Sequence, residues 1–324
     1  MTPLLALSGC YGFDGWGLQK TSSPAASYRL VGFWPEADGQ RFDEPHGIAI
    51  DPRNGHVLVS DTNNQRIVVF DKSGNWIRQF GEEGDGPGHF SHPMDVAVGA
   101  DGSVYVSDYF QDRIQKFTDT GEFLLEWGGA GEEGARFNAP TGLAVTQAGN
   151  VYVADFFHHD IKVFTPDGQF LRHVGEPGRW GLGRLNYPTD VDVGRDWTVV
   201  VADAYNYQVQ TFTPSGQPRS AWGWQLFWLV PRPNDQRRGF KVPTGVAFSP
   251  DGKLIHVADS GNHRVVMLNS KGAFVDDWPL PDVHVATYTP VSIAVSLDGE
   301  TVYAADIVNG RIIVLSLEQD ENHK

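Results

Sequence analysis

The chain has 324 residues, of which 40 are acidic and 25 are basic, so its formal net charge is −15 and its isoelectric point is near 5.0. This acidic balance disfavours nucleic acid as a partner, and no apolar run is long enough to cross a bilayer. The 37 glycines, 20 prolines and 12% aromatic residues suit many short strands joined by tight turns.

The first 27 residues are predicted to be a signal remnant followed by a flexible tether. Cys10 is the only cysteine, and Leu7-Ser8-Gly9-Cys10 resembles the bacterial lipobox, whose cysteine is lipidated. The resemblance implies a lipid-anchored protein in the periplasm or at the cell surface. The alternative is an incidental cysteine on the tail of a soluble cytoplasmic protein.

The next segment, Tyr28–Trp34, is predicted to be a strand that has no partner nearby in the sequence. Similar segments end the later repeats, at 76–81, 123–128 and 170–175, whereas the last repeat, from Pro290 to Leu317, lacks one. We therefore expect the first strand of the fold to complete the last repeat and close a ring. Closure would remove the free edges of an open β array.

A pattern with a period of about 47 residues begins near Phe42. Six prolines open short apolar runs at separations of 48, 47, 48, 55 and 47 residues: Pro45, Pro93, Pro140, Pro188, Pro243 and Pro290. An aspartate ends the second run of every repeat: Asp61, Asp108, Asp155, Asp203, Asp259 and Asp306. Turns that end in glycine, such as Lys72-Ser73-Gly74, follow the third run and suit a positive φ. Four short strands per period indicate a propeller blade.

The repeats resemble NHL repeats in the phrasing Phe-x-x-Pro-Thr-Gly-Leu-Ala-Val, Val-Tyr-Val-Ala-Asp and Ile-x-Val-Phe, and all six units carry the resemblance. The resemblance implies an all-β, six-bladed β-propeller with four antiparallel strands per blade, in which the N-terminal strand completes the last blade. It places one propeller at residues 28–317 and a polar tail at 318–324. The alternative architecture is an unclosed β-solenoid.

The repeated aspartates are predicted to be structural, each accepting hydrogen bonds from the backbone of its own hairpin and pairing with an arginine five residues on. The hairpins of blades 2, 3 and 4 depart from the pattern because they carry aromatic residues and histidines: Tyr109, Phe110, Phe156, Phe157, His158, His159, Tyr205 and Tyr207. Blades 3 and 4 also have no arginine at that fifth position.

An extra stretch at 223–240 accounts for the 55-residue spacing and adds apolar and basic residues: Trp224, Phe227, Trp228, Arg232, Arg237 and Arg238. Strand parity places it on the same face as the aromatic hairpins. Exposed aromatic residues beside arginine are typical of binding hot spots, so we predict a protein partner there, including a membrane or envelope complex. The alternatives are a lid that packs on the propeller itself and a loop that rests on lipid headgroups.

The residue after each proline is predicted to line the central channel: His46, Met94, Thr141, Thr189, Thr244 and Val291. In the peptide-amidating lyases, which NHL enzymes resemble, histidines in alternate blades hold zinc at this position. Here that set is His46, Thr141 and Thr244, and one histidine cannot build a catalytic zinc site. A metal between His158, His159 and Asp160 is disfavoured because neighbouring side chains seldom point at one ion.

The sequence therefore predicts a non-catalytic binding or scaffold subunit, tethered to the bacterial envelope, with no metal and no cofactor. The alternative is a channel-centred hydrolase or lyase, lactonase-like or amidating-lyase-like, with a bound metal. The motifs of phosphate-binding loops and of serine or cysteine nucleophiles are absent from the repeats. Nucleic-acid binding through a local arginine patch ranks third.

Overall fold

The computed structural model of the protein describes residues 28–34, 36–129, 134–223, 239–279 and 289–317. These residues form six four-stranded antiparallel sheets, the blades of a propeller, together with two small strand pairs and no α-helix. The six-bladed, all-β architecture expected from the repeats is thereby confirmed. Within the same residues, no helix has the length and apolar character that crossing a membrane requires.

Blades 1 to 5 run from the axis outward in chain order, whereas the outermost strand of blade 6 comes from the start of the chain. The innermost strands are Pro45–Ile50, Pro93–Val98, Pro140–Val145, Pro188–Val193, Pro243–Phe248 and Pro290–Val295. The second strands are Val57–Asp61, Val104–Asp108, Val151–Asp155, Val199–Asp203, Leu254–Asp259 and Thr301–Asp306. The third strands are Arg66–Phe70, Arg113–Phe117, Asp160–Phe164, Gln208–Phe212, Arg264–Asn269 and Arg311–Leu317.

The outermost strands are Tyr28–Trp34, Trp76–Phe80, Phe123–Gly128, Phe170–Val174, Pro218–Gly223 and Phe274–Pro279. Short 3₁₀ turns join the second strand to the third at Thr62–Asn64, Tyr109–Gln111, Ala204–Asn206 and Ser260–Asn262. The two small pairs join Glu36–Ala37 to Gln40–Arg41 and Glu176–Pro177 to Arg184–Leu185.

The first strand closes the ring, as predicted. It pairs antiparallel with Arg311–Leu317, from Tyr28 opposite Leu317 to Trp34 opposite Ile312. The register shifts at Val31, whose side chain is exposed. The Tyr28 hydroxyl donates a hydrogen bond to the Gly299 carbonyl at 2.9 Å. The last blade therefore has the same four strands as the others.

The apolar core lies between neighbouring blades, because each sheet is covered on both faces. Every residue of the second strands of blades 1 to 4 is buried, and valine dominates these strands. β-Branched residues suit such positions, and each fully buried apolar side chain contributes about 1.5–3 kcal/mol. One cluster, around Phe90 and Phe117, joins blades 1 and 2.

The aspartate that ends each second strand holds the incoming chain. Asp61 Oδ1 accepts from the amide of Asp43 at 2.8 Å, and its Oδ2 accepts from Arg66 Nε at 2.7 Å. The sequence analysis predicted that this backbone partner lies in the aspartate's own hairpin, and that prediction is wrong. The amide belongs instead to a residue one or two positions before the proline of the same blade. The same contact recurs in the other five blades. The aspartates are structural.

Blades 3 and 4 replace the arginine without losing its function. In blade 3, Lys162 donates to Asp155 from two positions further along the strand. In blade 4, Gln208 and Gln210 both donate to Asp203 Oδ2, at 2.8 and 2.9 Å. A buried carboxylate needs such donors because burial without them is costly.

Candidate functional site

The residue after each proline lies at the mouth of the central channel. The strand pairing is irregular directly after the proline in all six blades, and such a bulge redirects the side chain beside it. A cavity of about 140 Å³, which we call the mouth cavity, is lined by all six residues predicted from the sequence: His46, Met94, Thr141, Thr189, Thr244 and Val291. Asp95 and Asp190 also line it.

Asp95 and Asp190 line a second cavity as well, of about 190 Å³, which extends along the innermost strands. Both carboxyl groups therefore lie between the two cavities. Asp95 Oδ2 accepts from the amide of Leu143 in the next blade at 2.7 Å, and Asp190 Oδ2 accepts from Val246 at 2.8 Å. Each carboxyl group thus links two neighbouring blades.

The sequence analysis missed these carboxyl groups, although a signal was present. The third residue of the innermost strands alternates between glycine and a polar residue: Gly47, Asp95, Gly142, Asp190, Gly245 and Ser292. A methyl group on Gly47 or Gly142 would lie 2.2 Å from Oδ1 of the aspartate in the next blade. The glycines therefore make room for the aspartates.

Burial favours the protonated form of these carboxyl groups. It raises the pKa of Asp95 to about 7, against hydrogen bonds from Leu143 and Val96 that lower this pKa. Burial also raises the pKa of Asp190 well above its usual range, and the nearby Asp95 charge raises it further. The pKa of Asp192, which accepts from the Phe248 amide at 2.7 Å, is likewise raised by burial.

The raised pKa of Asp95 predicts a loss of stability with rising pH. The folded state binds more protons than the unfolded state between about pH 4 and about pH 7, so the stabilisation is complete below pH 4 and disappears as pH rises through 7. Asp95→Asn should reduce the fall in the free energy of unfolding with rising pH by roughly 1–3 kcal/mol. The remainder of the fall would come from Asp190 and Asp192. Urea unfolding at pH 5 and pH 8 measures how much the free energy of unfolding falls with pH in the parent chain and in Asp95→Asn. An equal fall in both chains would contradict the assignment of the raised pKa to Asp95.

Aromatic rings form a connected cluster on the face where the innermost strands begin. The ring of Phe156 lies 4.8 Å from that of Tyr187, which lies 5.0 Å from that of Tyr205. Phe156 also contacts Tyr109, at 6.5 Å between centroids, and Phe157, at 5.0 Å. We call the following residues the aromatic face: His92, Tyr109, Phe110, Phe156, Phe157, Tyr187 and Tyr205.

The aromatic face is open to solvent at its outer members. Phe110 is 67% exposed, Phe157 45% and Tyr205 47%. Tyr207, the other tyrosine predicted here, ends the blade 4 turn in a left-handed conformation and is also exposed. Apolar rings grouped in this way on a surface indicate an interaction site.

Two members of the cluster, His92 and Tyr187, were not predicted. Each directly precedes the proline of its blade, outside the hairpin. Tyr187 lies across the blade boundary from Phe156 and Phe157, and the His92 ring lies 4.6 Å from that of Phe110. The signal was an aromatic residue before the proline in two of the three blades that carry aromatic hairpins, blades 2 and 4.

The two histidines of the blade 3 hairpin point to different partners. His158 Nδ1 lies 2.8 Å from Asp155 Oδ2, whereas His159 Nδ1 accepts from the Tyr187 amide at 2.9 Å. Among the described residues, no group of three or more His, Cys, Asp or Glu side chains is arranged to hold a metal ion.

Several predicted site residues lie outside the described part of the chain. They are Cys10 and the insertion residues Trp224, Phe227, Trp228, Arg232, Arg237 and Arg238. The residues that flank the insertion are described. Gly223 is the strand partner of Gln208, and the Gly239 carbonyl accepts from Arg264 Nη2 at 2.6 Å. Both flanks therefore lie at the hairpin ends of third strands, on the same side of the propeller as the aromatic face.

Comparison with known proteins agrees with the architecture. A family profile described as a 6-bladed beta-propeller matches residues 46–127, and an NHL repeat profile matches residues 137–164 and 240–267. The peptidyl-glycine alpha-amidating monooxygenase of Mus musculus is 44% identical over 69 residues, which are 20% of this chain and 7% of that protein. The E3 ubiquitin-protein ligase NHLRC1 of Rattus norvegicus is 41% identical over 54 residues, 17% of this chain and 14% of that protein.

The chain thus spans only a small part of the curated relatives that it matches. Among solved structures, a streptogramin B lyase superimposes with a TM-score of 0.61, covering 90% of this chain and 98% of that one at 16% sequence identity. This similarity shows a shared fold.

Proposed function

We propose that this chain, a six-bladed β-propeller that carries NHL repeats, is a non-catalytic binding subunit that recruits a protein partner through its aromatic face. The observation that carries the proposal is the connected cluster of exposed rings in blades 2 to 4. Most other blades have small polar residues in the same turns, as in Thr62–Asn64 and Ser260–Asn262. The site therefore belongs to one sector of an otherwise regular ring.

The energetics of such a cluster suit protein recognition. Large aromatic side chains supply much of the binding energy of protein interfaces, and each hot-spot residue contributes about 2 kcal/mol or more. The rings support one another in tilted and edge-on contacts, so little side-chain freedom would be lost on binding. The flanks of the 223–240 insertion lie on the same side of the propeller as the aromatic face, and the prediction that the insertion residues contribute to the interface is kept as part of the proposal.

The names of the relatives do not indicate one function for this chain. One carries the name of an amidating monooxygenase and another that of an E3 ubiquitin-protein ligase, and each is matched over a small fraction of its length. The proposal therefore rests on the geometry of this chain. Attachment to the bacterial envelope through Cys10 is part of the proposal, and mass spectrometry of the mature N-terminus tests it.

Phe110→Ser and Phe157→Ser should each weaken partner binding by about 10- to 30-fold, because each removes an exposed anchor ring. A photo-crosslinking residue at position 110 would first identify the partner, and calorimetry with the purified partner would then measure affinity. Trp197→Ser is the matched control, since Trp197 is an exposed aromatic in the turn after an innermost strand, on the opposite face.

Equal affinity of all three variants would exclude the aromatic face as the binding surface. Turnover of a lactone or a peptidyl substrate that is abolished by His46→Ala would instead favour the channel-centred hydrolase or lyase.

A further inference from the structure

The threonines of the mouth cavity direct their hydroxyl protons away from it. Thr141 Oγ1 lies 3.2 Å from the Ala154 carbonyl, and Thr189 Oγ1 lies 3.3 Å from the Pro243 carbonyl, so both hydroxyl groups donate to the backbone. Thr244 contacts the Ser260 hydroxyl, which itself donates to the Pro290 carbonyl. Thr244 Oγ1 also lies 3.5 Å from the Pro290 carbonyl, so Thr244 donates its proton either to Ser260 or to this carbonyl. All three oxygens keep lone pairs for a further donor.

The imidazole of His46 likewise uses its proton in a hydrogen bond to neighbouring protein atoms and keeps its other nitrogen as an acceptor. Its Nδ1 lies 3.0 Å from the Glu44 carbonyl and 3.2 Å from Thr62 Oγ1, and Thr62 donates its own proton to the Pro93 carbonyl. The Nδ1 atom therefore carries the proton, because both of its neighbours act as acceptors. Burial lowers the pKa of His46 to about 4, so the ring is neutral at pH 7 and Nε2 is a hydrogen-bond acceptor.

The carboxyl groups of Asp95 and Asp190 also line the mouth cavity, together with apolar residues, and no lysine or arginine is among its lining residues. Without a ligand, burial favours the protonated form of both carboxyl groups. A positive charge beside them favours the ionised form, so a cationic ligand would bind with release of a proton. Three hydroxyl oxygens, one imidazole nitrogen and two carboxyl groups would together match a ligand that offers several donors and a positive charge. An ammonium group has three donors and no acceptor.

Size and surroundings indicate an ammonium group on an alkyl stem. The cavity of about 140 Å³ has room for roughly four or five water-sized groups, which is the number of heavy atoms in a lysine side chain beyond Cα. The cavity also adjoins the aromatic face, because the rings of His46 and His92 lie 6.0 Å apart and His92 contacts Phe110. Apolar rings at the entrance suit an aliphatic stem better than a hydrated inorganic ion.

We infer that the mouth cavity binds the ammonium group of a lysine side chain from the protein that the aromatic face recruits, an inference that rests on the proposed function. The lysine would enter beside His46 and His92 and place its nitrogen among the threonine oxygens, close to Asp95 and Asp190. The aromatic face then supplies contact area, and the mouth cavity supplies selectivity for a partner that presents an extended lysine.

The test uses Nα-acetyl-lysine N-methylamide as the probe and the full chain labelled with ¹³C at its methionine methyl groups. Met94 lines the mouth cavity, whereas Met267 is buried in the core between blades 5 and 6 and serves as an internal reference. The probe is expected to shift the Met94 signal saturably and to leave Met267 unchanged. The norleucine analogue, which has the same stem without the charge, should bind at least about tenfold more weakly.

Asp95→Asn should lower the affinity for the lysine probe by about tenfold. An unchanged Met267 signal would show that the fold of this variant is intact. Thr141→Val is a second variant that removes one acceptor while keeping the side-chain shape, and it should also weaken the probe. Equal binding of the norleucine analogue would overturn the inference, as would a Met94 shift caused by calcium chloride and not by the lysine probe. Because the probe needs no partner, these outcomes are independent of whether the aromatic face recruits a protein.

Discussion

A chain that begins at residue 35 is expected to lose cooperative unfolding, whereas a chain that begins at residue 28 should keep it. The two differ only in Tyr28–Trp34, the strand that completes the last blade. Its removal uncovers Ile313 and Leu315, which are fully buried, and leaves the third strand of blade 6 as a free edge. Losing the burial of Tyr28 and its neighbours costs roughly 5 kcal/mol or more, comparable with the whole stability of a typical domain.

Thermal unfolding followed by circular dichroism, together with size-exclusion chromatography, measures the difference between these two chains. The shorter one should aggregate through its open edge. A synthetic peptide of residues 28–34, added in excess, should restore part of the transition by pairing with that edge. Identical unfolding temperatures for the two chains would refute the role of the first strand in closure.

Gly142→Ala is expected to destabilise the propeller by about 2–4 kcal/mol. The added methyl group would lie 2.2 Å from Asp190 Oδ1 and 2.5 Å from Asp190 Cα. A side chain alone could turn away, but a backbone atom moves only with its strand, so blades 3 and 4 would have to separate near the axis. Urea denaturation measures the loss of stability.

Gly32→Ala is the matched control, because no atom lies within 4 Å of the site where its methyl group would be added. It should leave stability within about 0.5 kcal/mol of the parent chain. If Gly142→Ala were as stable as Gly32→Ala, the close approach of neighbouring innermost strands would not be required for folding.

The strand boundaries were predictable because each depends on local chemistry that recurs in every repeat. Pro45 and its counterparts begin the innermost strands, and Asp61 and its counterparts end the second strands. Closure was predictable from a missing strand in the last repeat and a surplus strand at the start. The six residues around the mouth cavity followed from the same repeat, since equivalent positions around a ring meet at its axis.

Contacts between blades were harder to foresee. Asp95 and Asp190 look like ordinary polar residues in a strand until the facing glycines, Gly47 and Gly142, are read with them. Tyr187 joins the rings of the preceding blade, so its role depends on a neighbour about 30 residues away. Lys162 replaces an arginine from a different strand position, which a comparison by fixed spacing misses. In each case the partner lies across a boundary that periodicity within one repeat does not describe.

The pairing of Tyr28 with Leu317 also determines how the propeller would be oriented relative to an attachment at its N-terminal or C-terminal end. Tyr28 reaches the Gly299 carbonyl, in the turn that follows the last innermost strand, and this turn is on the side away from the aromatic rings. The two ends of the ring therefore leave side by side, from the underside of the disc. If either end were attached to a surface, the aromatic rings would lie on the opposite side of the disc and face an approaching macromolecule.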